Sequence, residues 1–263
     1  MEDITQKEAP KKTKFAKIHQ FNPAVAKRFY MIPSLITMTG VFCGFTSIIY
    51  SFKGNFKSAV IAIIIAGILD GLDGRVARKL NATSEFGKEL DSLSDEVAFG
   101  VAPAVMVYSW AFSSNLDEIG VLALFLYVVC AAARLARFNI VSGGEPKSYF
   151  QGLPTPGAAA ALISMVFIHL DKIQNFYLSS AILIYVVFIA YLMVSNISFF
   201  SIKNIKFDRS NLNLKLILSG LTVAFFWYDT PKAMFALSVI YIFSGPLYMG
   251  YSKLKKVKVP YTE

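Results

Sequence analysis

Long apolar runs separated by short polar segments dominate the chain between residues 31 and 250. Several of these runs approach the roughly 20 residues that an α-helix needs to cross a bilayer. The pattern predicts an all-α fold, a polytopic transmembrane helical bundle of about eight spans. The second and third spans carry carboxylates, which lower their hydropathy. The predicted spans are 32–52, 56–79, 88–112, 118–140, 155–171, 176–197, 212–228 and 231–250.

Two basic segments flank this predicted transmembrane domain of residues 31–250. In residues 1–30, the stretch from Phe15 to Tyr30 mixes cations with apolar side chains. This mixture predicts an amphipathic helix lying on an anionic membrane surface, whereas residues 1–13 are typical of a disordered basic tail. The first apolar run begins too late and is too long for a cleaved signal peptide. Residues 251–263 form a second basic tail, whose lysines are typical of stop-transfer residues.

The basic residues predict one orientation in the cell membrane. The chain is 55% hydrophobic and contains 26 lysines and arginines. With the N-terminus in the cytoplasm, the outer loops carry only Lys53, Lys57, Lys172 and Lys232. Because basic residues collect on the cytoplasmic side of membrane proteins, we expect both termini and the polar segment between spans two and three to be cytoplasmic.

An acidic stretch, Asp70 to Asp95, interrupts the apolar pattern. Asp70 and Asp73 are spaced i, i+3, and Asp91 and Asp95 are spaced i, i+4, so each pair shares one face of a helix. The polar residues from Lys79 to Gly87 predict a turn between the two helices. The two acidic faces are therefore expected to converge on one point.

Four converging carboxylates in a low-dielectric setting predict a site for Mg²⁺ or Mn²⁺. They cannot all remain ionised unless cations neutralise them, and both metals prefer oxygen ligands and bind substrate phosphates. Gly74 and Ala77 leave room for a ligand on the acidic face, and Arg75, Arg78 and Lys79 supply cations for a diphosphate. The alternative is a solvated acidic face without function, which is disfavoured because charged residues in spans are costly.

Other residue classes add no further site. Cys43 and Cys130 lie in apolar runs and are typical of small buried residues, so neither a disulfide framework nor a zinc site is expected. The two histidines are isolated. No nucleic-acid partner is expected.

The acidic stretch resembles a known signature. Its spacing, D-x2-D-G-x2-A-R-x8-G-x3-D-x3-D, is similar to that of the CDP-alcohol phosphatidyltransferase family. The segments IPSLITMTGVFCGF, RLARFN, FQGLPTPGAAA and MVSNISFFSIK resemble those of the branch of this family that uses L-serine. The signature positions are Asp70, Asp73, Gly74, Ala77, Arg78, Gly87, Asp91 and Asp95.

The resemblance implies a transmembrane catalytic domain that transfers the phosphatidyl group of CDP-diacylglycerol to the hydroxyl of L-serine, giving phosphatidylserine and CMP. It implies that Asp70, Asp73 and Asp91 hold two divalent ions, with Asp95 shared between metal contact and general base. A serine hydroxyl is a poor nucleophile at neutral pH, so a carboxylate must take its proton. The resemblance also implies a homodimer. The CDP-lipid would contact Asp70, Asp73, Gly74, Ala77, Arg78 and Gly87.

The loop after span four supplies candidates for binding serine. Arg134, Arg137 or Lys147 could bind its carboxylate, because guanidinium groups bind carboxylates through paired hydrogen bonds. Asn139 or Tyr149 could add hydrogen bonds. Arg134 and Arg137 could instead contact a phosphate. The non-functional alternative for both is that they interact with the helix dipole or reach lipid headgroups.

Three rival functions remain open on the sequence. The same transfer could use another alcohol, such as glycerol 3-phosphate or inositol phosphate. A membrane prenyltransferase also binds a diphosphate through Mg²⁺ and aspartates, although the glycine, alanine and arginine of the motif argue against it. An ion-coupled transporter could use intramembrane carboxylates as relays, and it predicts no release of CMP.

Overall fold

The computed structural model describes residues 23–80, 82–141, 149–200 and 220–255, except residues 221 and 223. Within these ranges the chain is helical apart from its loops and one pair of short strands. The helices are α1 (Pro23–Phe52), α2 (Phe56–Lys79), α3 (Glu85–Asp95), α4 (Ala102–Val107), α5 (Asp117–Val141), α6 (Thr155–Ile168), α7 (Phe176–Val194) and α8 (Thr230–Lys255).

The predicted all-α membrane class is confirmed, but the predicted number of about eight spans is not. Four described helices are long and apolar enough to cross a membrane: Met31–Phe52, Asp117–Ile140, Phe176–Val194 and Thr230–Gly250. The predicted second span, α2, is long enough but carries several charged residues. The predicted third span is divided into the 11-residue α3, the 6-residue α4 and two π-helical stretches, each too short by itself to cross a membrane. The predicted fifth span is the 14-residue α6, which ends at Ile168 and is short for a spanning helix.

Several predictions fall wholly or partly outside the described residues. The first half of the predicted interfacial helix, residues 15–22, lies outside the described residues, and the second half, residues 23–30, is the beginning of α1. The predicted span 212–228 is described only at residues 220, 222 and 224–228, which are helical. Of the basic tail, residues 251–255 continue α8 and the remainder is outside the described ranges.

Polar caps set the helix starts around the acidic stretch. The Asn55 side chain accepts a hydrogen bond from the Ser58 amide at 3.2 Å and begins α2. The Ser84 hydroxyl accepts one from the Gly87 amide at 3.0 Å and begins α3. Such caps satisfy amides that have no partner within the helix. The predicted turn therefore ends at Ser84, earlier than the sequence suggested.

The third apolar run is one continuous helical segment that includes two π-helical stretches, Glu96–Val101 and Tyr108–Phe112. The fully buried Tyr127 of α5 donates a hydrogen bond to the Phe99 carbonyl at 2.8 Å inside the first stretch. A Cβ added to Gly44 of α1 would lie 3.0 Å from the Ala98 Cα. Small residues thus let α1 approach the first π-helical stretch closely.

Helix α1 is central to the acidic side of the bundle because it packs along α2 and also contacts α3. On the other side, α5 packs against α7, and α6 packs against α8. Strands β1 (Tyr149–Gln151) and β2 (Ser198–Phe200) pair antiparallel, with Phe150 opposite Phe199. This ribbon joins the segment before α6 to the segment after α7, and the all-α prediction did not anticipate it.

Candidate active site

Three carboxylates meet where α2 faces α3. Asp70, Asp91 and Asp95 each offer an oxygen, and these oxygens all lie within 4.8 Å of one another. Asp70 comes from α2, whereas Asp91 and Asp95 lie one turn apart on α3. The convergence expected from the spacing is therefore present for these three residues.

Asp73 occupies a different position from the other three aspartates. It is not part of the group that meets within 4.8 Å, and its side chain is buried. The Thr37 hydroxyl of α1 donates a hydrogen bond to Asp73 Oδ2 at 2.7 Å. The same hydroxyl lies 3.0 Å from the Pro33 carbonyl. Asp73 is thus oriented by α1, a contact that the helical spacing of the acidic stretch did not reveal.

A cavity of about 470 Å³ adjoins the carboxylates and is lined by α1, α2 and the beginning of α3. Five of the six residues expected to contact the CDP-lipid line it, and the sixth, Asp70, belongs to the acidic group. Those five are Asp73, Gly74, Ala77, Arg78 and Gly87.

The cavity also contains residues that were not among the candidates. Pro33, Ser34 and Thr37 of α1 lie on its wall, as does Lys88 of α3. The first three belong to the segment IPSLITMTGVFCGF, which resembles the serine-using branch of the family and for which the sequence predicts no specific role. This resemblance is the sequence feature that could have pointed to Thr37. Helical spacing could not, because it relates residues three or four positions apart and Thr37 is far from Asp73 in the chain.

Polar contacts hold α5 against α3. The Asn139 side-chain amide donates to the Ser92 hydroxyl at 2.9 Å, and the Lys88 ammonium group lies 3.4 Å from the Asn139 carbonyl. The Asn139 amide, a candidate for binding serine, is therefore engaged between helices.

Arg134 and Arg137, one turn apart on α5, have different surroundings. Arg134 is only 8% exposed, and its Nη1 donates to the Thr155 hydroxyl of α6 at 2.7 Å. Arg137 Nη2 lies 3.4 Å from the Asn196 side-chain oxygen, which also accepts a hydrogen bond from Gln151 Nε2 at 2.9 Å. Arg134 therefore lies within the bundle, and Arg137 beside the β-ribbon. Of the other candidates, Lys147 lies outside the described residues, and Tyr149 is described as part of β1.

The acidic group fits a divalent metal. Its donors are carboxylate oxygens, which are the ligands that Mg²⁺ and Mn²⁺ prefer. Their mutual distances allow one ion to contact all three. Three clustered carboxylates also repel one another, and a cation relieves this repulsion.

Comparison with known proteins gives a consistent result. The CDP-alcohol phosphatidyltransferase family profile matches residues 30–245. A Helicobacter pylori (strain ATCC 700392 / 26695) protein named CDP-diacylglycerol–serine O-phosphatidyltransferase is 39% identical over 195 residues, which cover 73% of this chain and 81% of that protein. A Bacillus subtilis (strain 168) protein of the same name is 42% identical over 136 residues, covering 52% and 75%.

An archaeal relative extends the similarity. The archaetidylserine synthase of Methanothermobacter thermautotrophicus is 36% identical over 173 residues, covering 65% of this chain and 70% of that protein. The family profile spans most of the chain, including the carboxylates and the cavity. The chain therefore belongs to the CDP-alcohol phosphatidyltransferase family.

Proposed function

We propose that this protein transfers the phosphatidyl group of CDP-diacylglycerol to the hydroxyl of L-serine, producing phosphatidylserine and CMP. The observation that carries the proposal is the meeting of Asp70, Asp91 and Asp95 beside a cavity lined by the remaining motif residues. The names of the bacterial relatives support serine as the acceptor.

In this proposal the cavity binds the CDP part of the lipid. Gly74 and Ala77 have little side-chain bulk, so the nucleotide can lie against α2. Arg78 is the cation of the cavity wall on this helix, and a guanidinium binds phosphate oxygens through paired hydrogen bonds. Gly87 and Lys88, at the beginning of α3, complete the wall.

Asp70, Asp91 and Asp95 would hold Mg²⁺ or Mn²⁺, with Asp73 as a further ligand if two ions bind. When bound, such ions neutralise diphosphate oxygens and make the phosphorus more electrophilic. The chain itself keeps the carboxylates in place, through the hydrogen bond from Thr37 to Asp73 and through the packing of α1 on α2 and α3.

Asp95 would act as the general base. The serine hydroxyl oxygen attacks the phosphatidyl phosphorus and gives its proton to the Asp95 carboxylate. The bond from that phosphorus to the CMP oxygen breaks, and CMP leaves with the electron pair. Asp91 lines the cavity, whereas Asp95, one turn further along α3, does not. Of the two carboxylates on α3, Asp95 is therefore the one farther from the proposed nucleotide position.

The site and both termini would face the cytoplasm, where CDP-linked lipids and serine are available. The distribution of basic residues supports this orientation. A homodimer remains a prediction from family resemblance, and the molar mass of the purified protein in detergent would test it.

The test is CMP release by purified protein in detergent, supplied with CDP-diacylglycerol and Mg²⁺ or Mn²⁺. We expect release to require L-serine, to stop with EDTA, and to fall roughly 10²- to 10⁴-fold in Asp95→Asn. Asp171→Asn, which changes an exposed loop carboxylate, is the matched control and should retain activity.

Three results would change the proposal. Release that requires glycerol 3-phosphate or inositol phosphate would keep the mechanism and replace the acceptor. Full activity in Asp95→Asn would show that Asp95 is not the general base. The absence of CMP release with every alcohol and either metal would overturn the proposed reaction.

A further inference from the structure

The Arg134 guanidinium is buried and only partly hydrogen-bonded. The residue is 8% exposed, and its Nη1 donates to the Thr155 hydroxyl. Its Nε is also buried, and it has no hydrogen-bond partner within the described part of the chain. Because an unsatisfied buried charged group is costly, this guanidinium is suited to a ligand that accepts hydrogen bonds.

The surroundings of Arg134 come from four helices. Its guanidinium lies 6.0 Å from the centre of the Phe138 ring on α5, and Thr155 belongs to α6. Asp95 of α3 and Tyr241 of α8 are close enough to interact with it electrostatically. Tyr241 packs beside Phe199, with 5.8 Å between the ring centres. The last helix, for which the sequence offered no role, thus contributes to this region.

This region and the nucleotide cavity are built from different helices. The cavity is lined by α1, α2 and the beginning of α3, whereas Arg134 lies among α5, α6 and α8. Asp95 connects the two regions, since it belongs to the carboxylate group and also interacts with Arg134. In an in-line displacement at phosphorus, the attacking alcohol and the leaving group lie on opposite sides. The Arg134 side is therefore where the acceptor should enter.

We propose that Arg134, supported by Thr155 and Tyr241, binds the carboxylate of the acceptor L-serine. This inference rests on the proposed transfer to serine. A guanidinium matches a carboxylate in geometry and charge, and the Thr155 hydroxyl fixes one of its nitrogens. A carboxylate held there places the serine hydroxyl on the same side as Asp95, the proposed base.

Arg137 is the rival for this role. Its Nη2 faces Asn196, and that cluster includes Gln151 of β1. Its Nη1 also has no hydrogen-bond partner in the described part of the chain. Arg134 is favoured because it is the more deeply buried of the two and because it interacts with Asp95.

The first test compares acceptors with the wild-type protein. L-serine is compared with serinol and with L-serine methyl ester, which keep a hydroxyl and an amine but lack the free carboxylate. We expect kcat/KM for both analogues to be roughly 10- to 100-fold lower than for L-serine. Equal use of the three acceptors would overturn the subsite, whereas release that needs no acceptor would contradict the proposed function itself.

The second test uses variants of the two arginines. In Arg134→Gln we expect the KM for L-serine to rise roughly 10- to 100-fold, with the KM for CDP-diacylglycerol unchanged and the preference for serine over serinol lost. Arg134→Lys should recover part of this preference. Lys172→Gln, which changes an exposed loop cation, is the control.

Three results with the variants would overturn the inference. An equal rise in the KM for CDP-diacylglycerol would assign Arg134 to the phosphates. A fall in kcat with the serine KM unchanged would reduce it to an electrostatic partner of Asp95. A larger rise in the serine KM for Arg137→Gln would move the carboxylate to the rival site. If Arg134→Gln does not fold, the comparison of L-serine with serinol and L-serine methyl ester in the wild-type protein still tests whether the site binds the acceptor carboxylate.

Discussion

The hydroxyl of Thr37 is a small group with a large expected effect on the acidic site. Thr37 and Asp73 are both buried, and the 2.7 Å hydrogen bond between them joins α1 to α2. The Ser94 hydroxyl of α3 donates to the Thr37 carbonyl at 3.2 Å. One residue of α1 therefore contacts both helices that carry the carboxylates, which identifies it as a positioning residue.

Replacing Thr37 with valine preserves the shape of the side chain and removes the hydrogen bond to Asp73. We expect the concentration of Mg²⁺ needed for half-maximal CMP release to rise roughly 10- to 150-fold, because a hydrogen bond to a charged group contributes about 1.5–3 kcal/mol. Thr37→Ser should restore most of the metal affinity. The measurement is a metal titration of CMP release with saturating serine.

A matched control is available on the same helix. The Thr39 hydroxyl also bonds to a backbone carbonyl four residues earlier, that of Leu35 at 2.8 Å, but it is exposed and no carboxylate accepts from it in the described structure. Thr39→Val should leave the metal requirement unchanged. If both valine variants behave alike, Thr37 does not position Asp73.

Individual residues were predictable where the determining spacing was local. Asp70, Asp91 and Asp95 could be identified from intervals of three or four residues, because a helix brings such positions onto one face. Thr37 and Tyr241 could not, since they reach the site through packing across long stretches of sequence. The burial of Arg134 likewise depends on α6 and α8, so the sequence left Arg134 and Arg137 equivalent.

Between α5 and α6, the chain is fixed against the end of α7 by backbone contacts. The Gly152 amide donates to the Ile197 carbonyl at 2.9 Å, and the Leu153 amide donates to the Leu192 carbonyl at 3.0 Å. Gly152 has φ +78, and a Cβ at this position would lie 2.2 Å from the Met193 carbonyl oxygen. Only glycine permits both this conformation and this close approach.

Gly152→Ala should therefore destabilise the fold by about 2–4 kcal/mol, which combines left-handed strain with overpacking. Gly54 is the control, because it also has a positive φ, +71, but an added Cβ would have no neighbour within 4 Å. Gly54→Ala should cost only about 1–2 kcal/mol. Thermal unfolding of both variants in detergent measures the difference, and equal midpoints would show that the contact with Met193 is unimportant.

At the scale of elements, the sequence predicted the positions of most described helices but not their local irregularities. Hydrophobic pattern and polar caps determine where helices lie, so α2, α5 and α7 begin at or within one residue of their predicted starts. The two π-helical stretches and the β-ribbon follow from contacts such as that of Tyr127 with Phe99. Hydrophobic periodicity does not predict such contacts, because they join residues that are far apart in the sequence.

The whole molecule has two polar ends of different character. At one end lie the carboxylates, the cavity and the β-ribbon. At the other end, the Ile173 amide donates to the Trp110 carbonyl at 2.8 Å, and the Trp110 indole donates to the His169 carbonyl at 2.8 Å, which joins the loop after α6 to the end of the third helical run. From the distribution of basic residues we predict that the carboxylate end faces the cytoplasm.

Cysteine labelling can test this orientation. After Cys43 and Cys130, the free cysteines among the described residues, are replaced by alanine, single cysteines are introduced as Lys53→Cys, Lys172→Cys and Glu85→Cys, all at exposed positions. In sealed cells, a membrane-impermeant maleimide should label the first two variants. It should label Glu85→Cys only after the membrane is permeabilised, because that position borders the cavity and the cavity is predicted to face the cytoplasm.

The opposite labelling pattern would have a consequence beyond topology. It would place the cavity and the three carboxylates on the outer side of the membrane, away from the cytoplasmic pools of CDP-linked lipid headgroups and serine. The proposed transfer could not then use those pools, and the positive-inside distribution would have to arise from loops that do not determine orientation. Labelling of Glu85→Cys only after permeabilisation, together with serine-dependent CMP release, would instead locate the reaction at the cytoplasmic face.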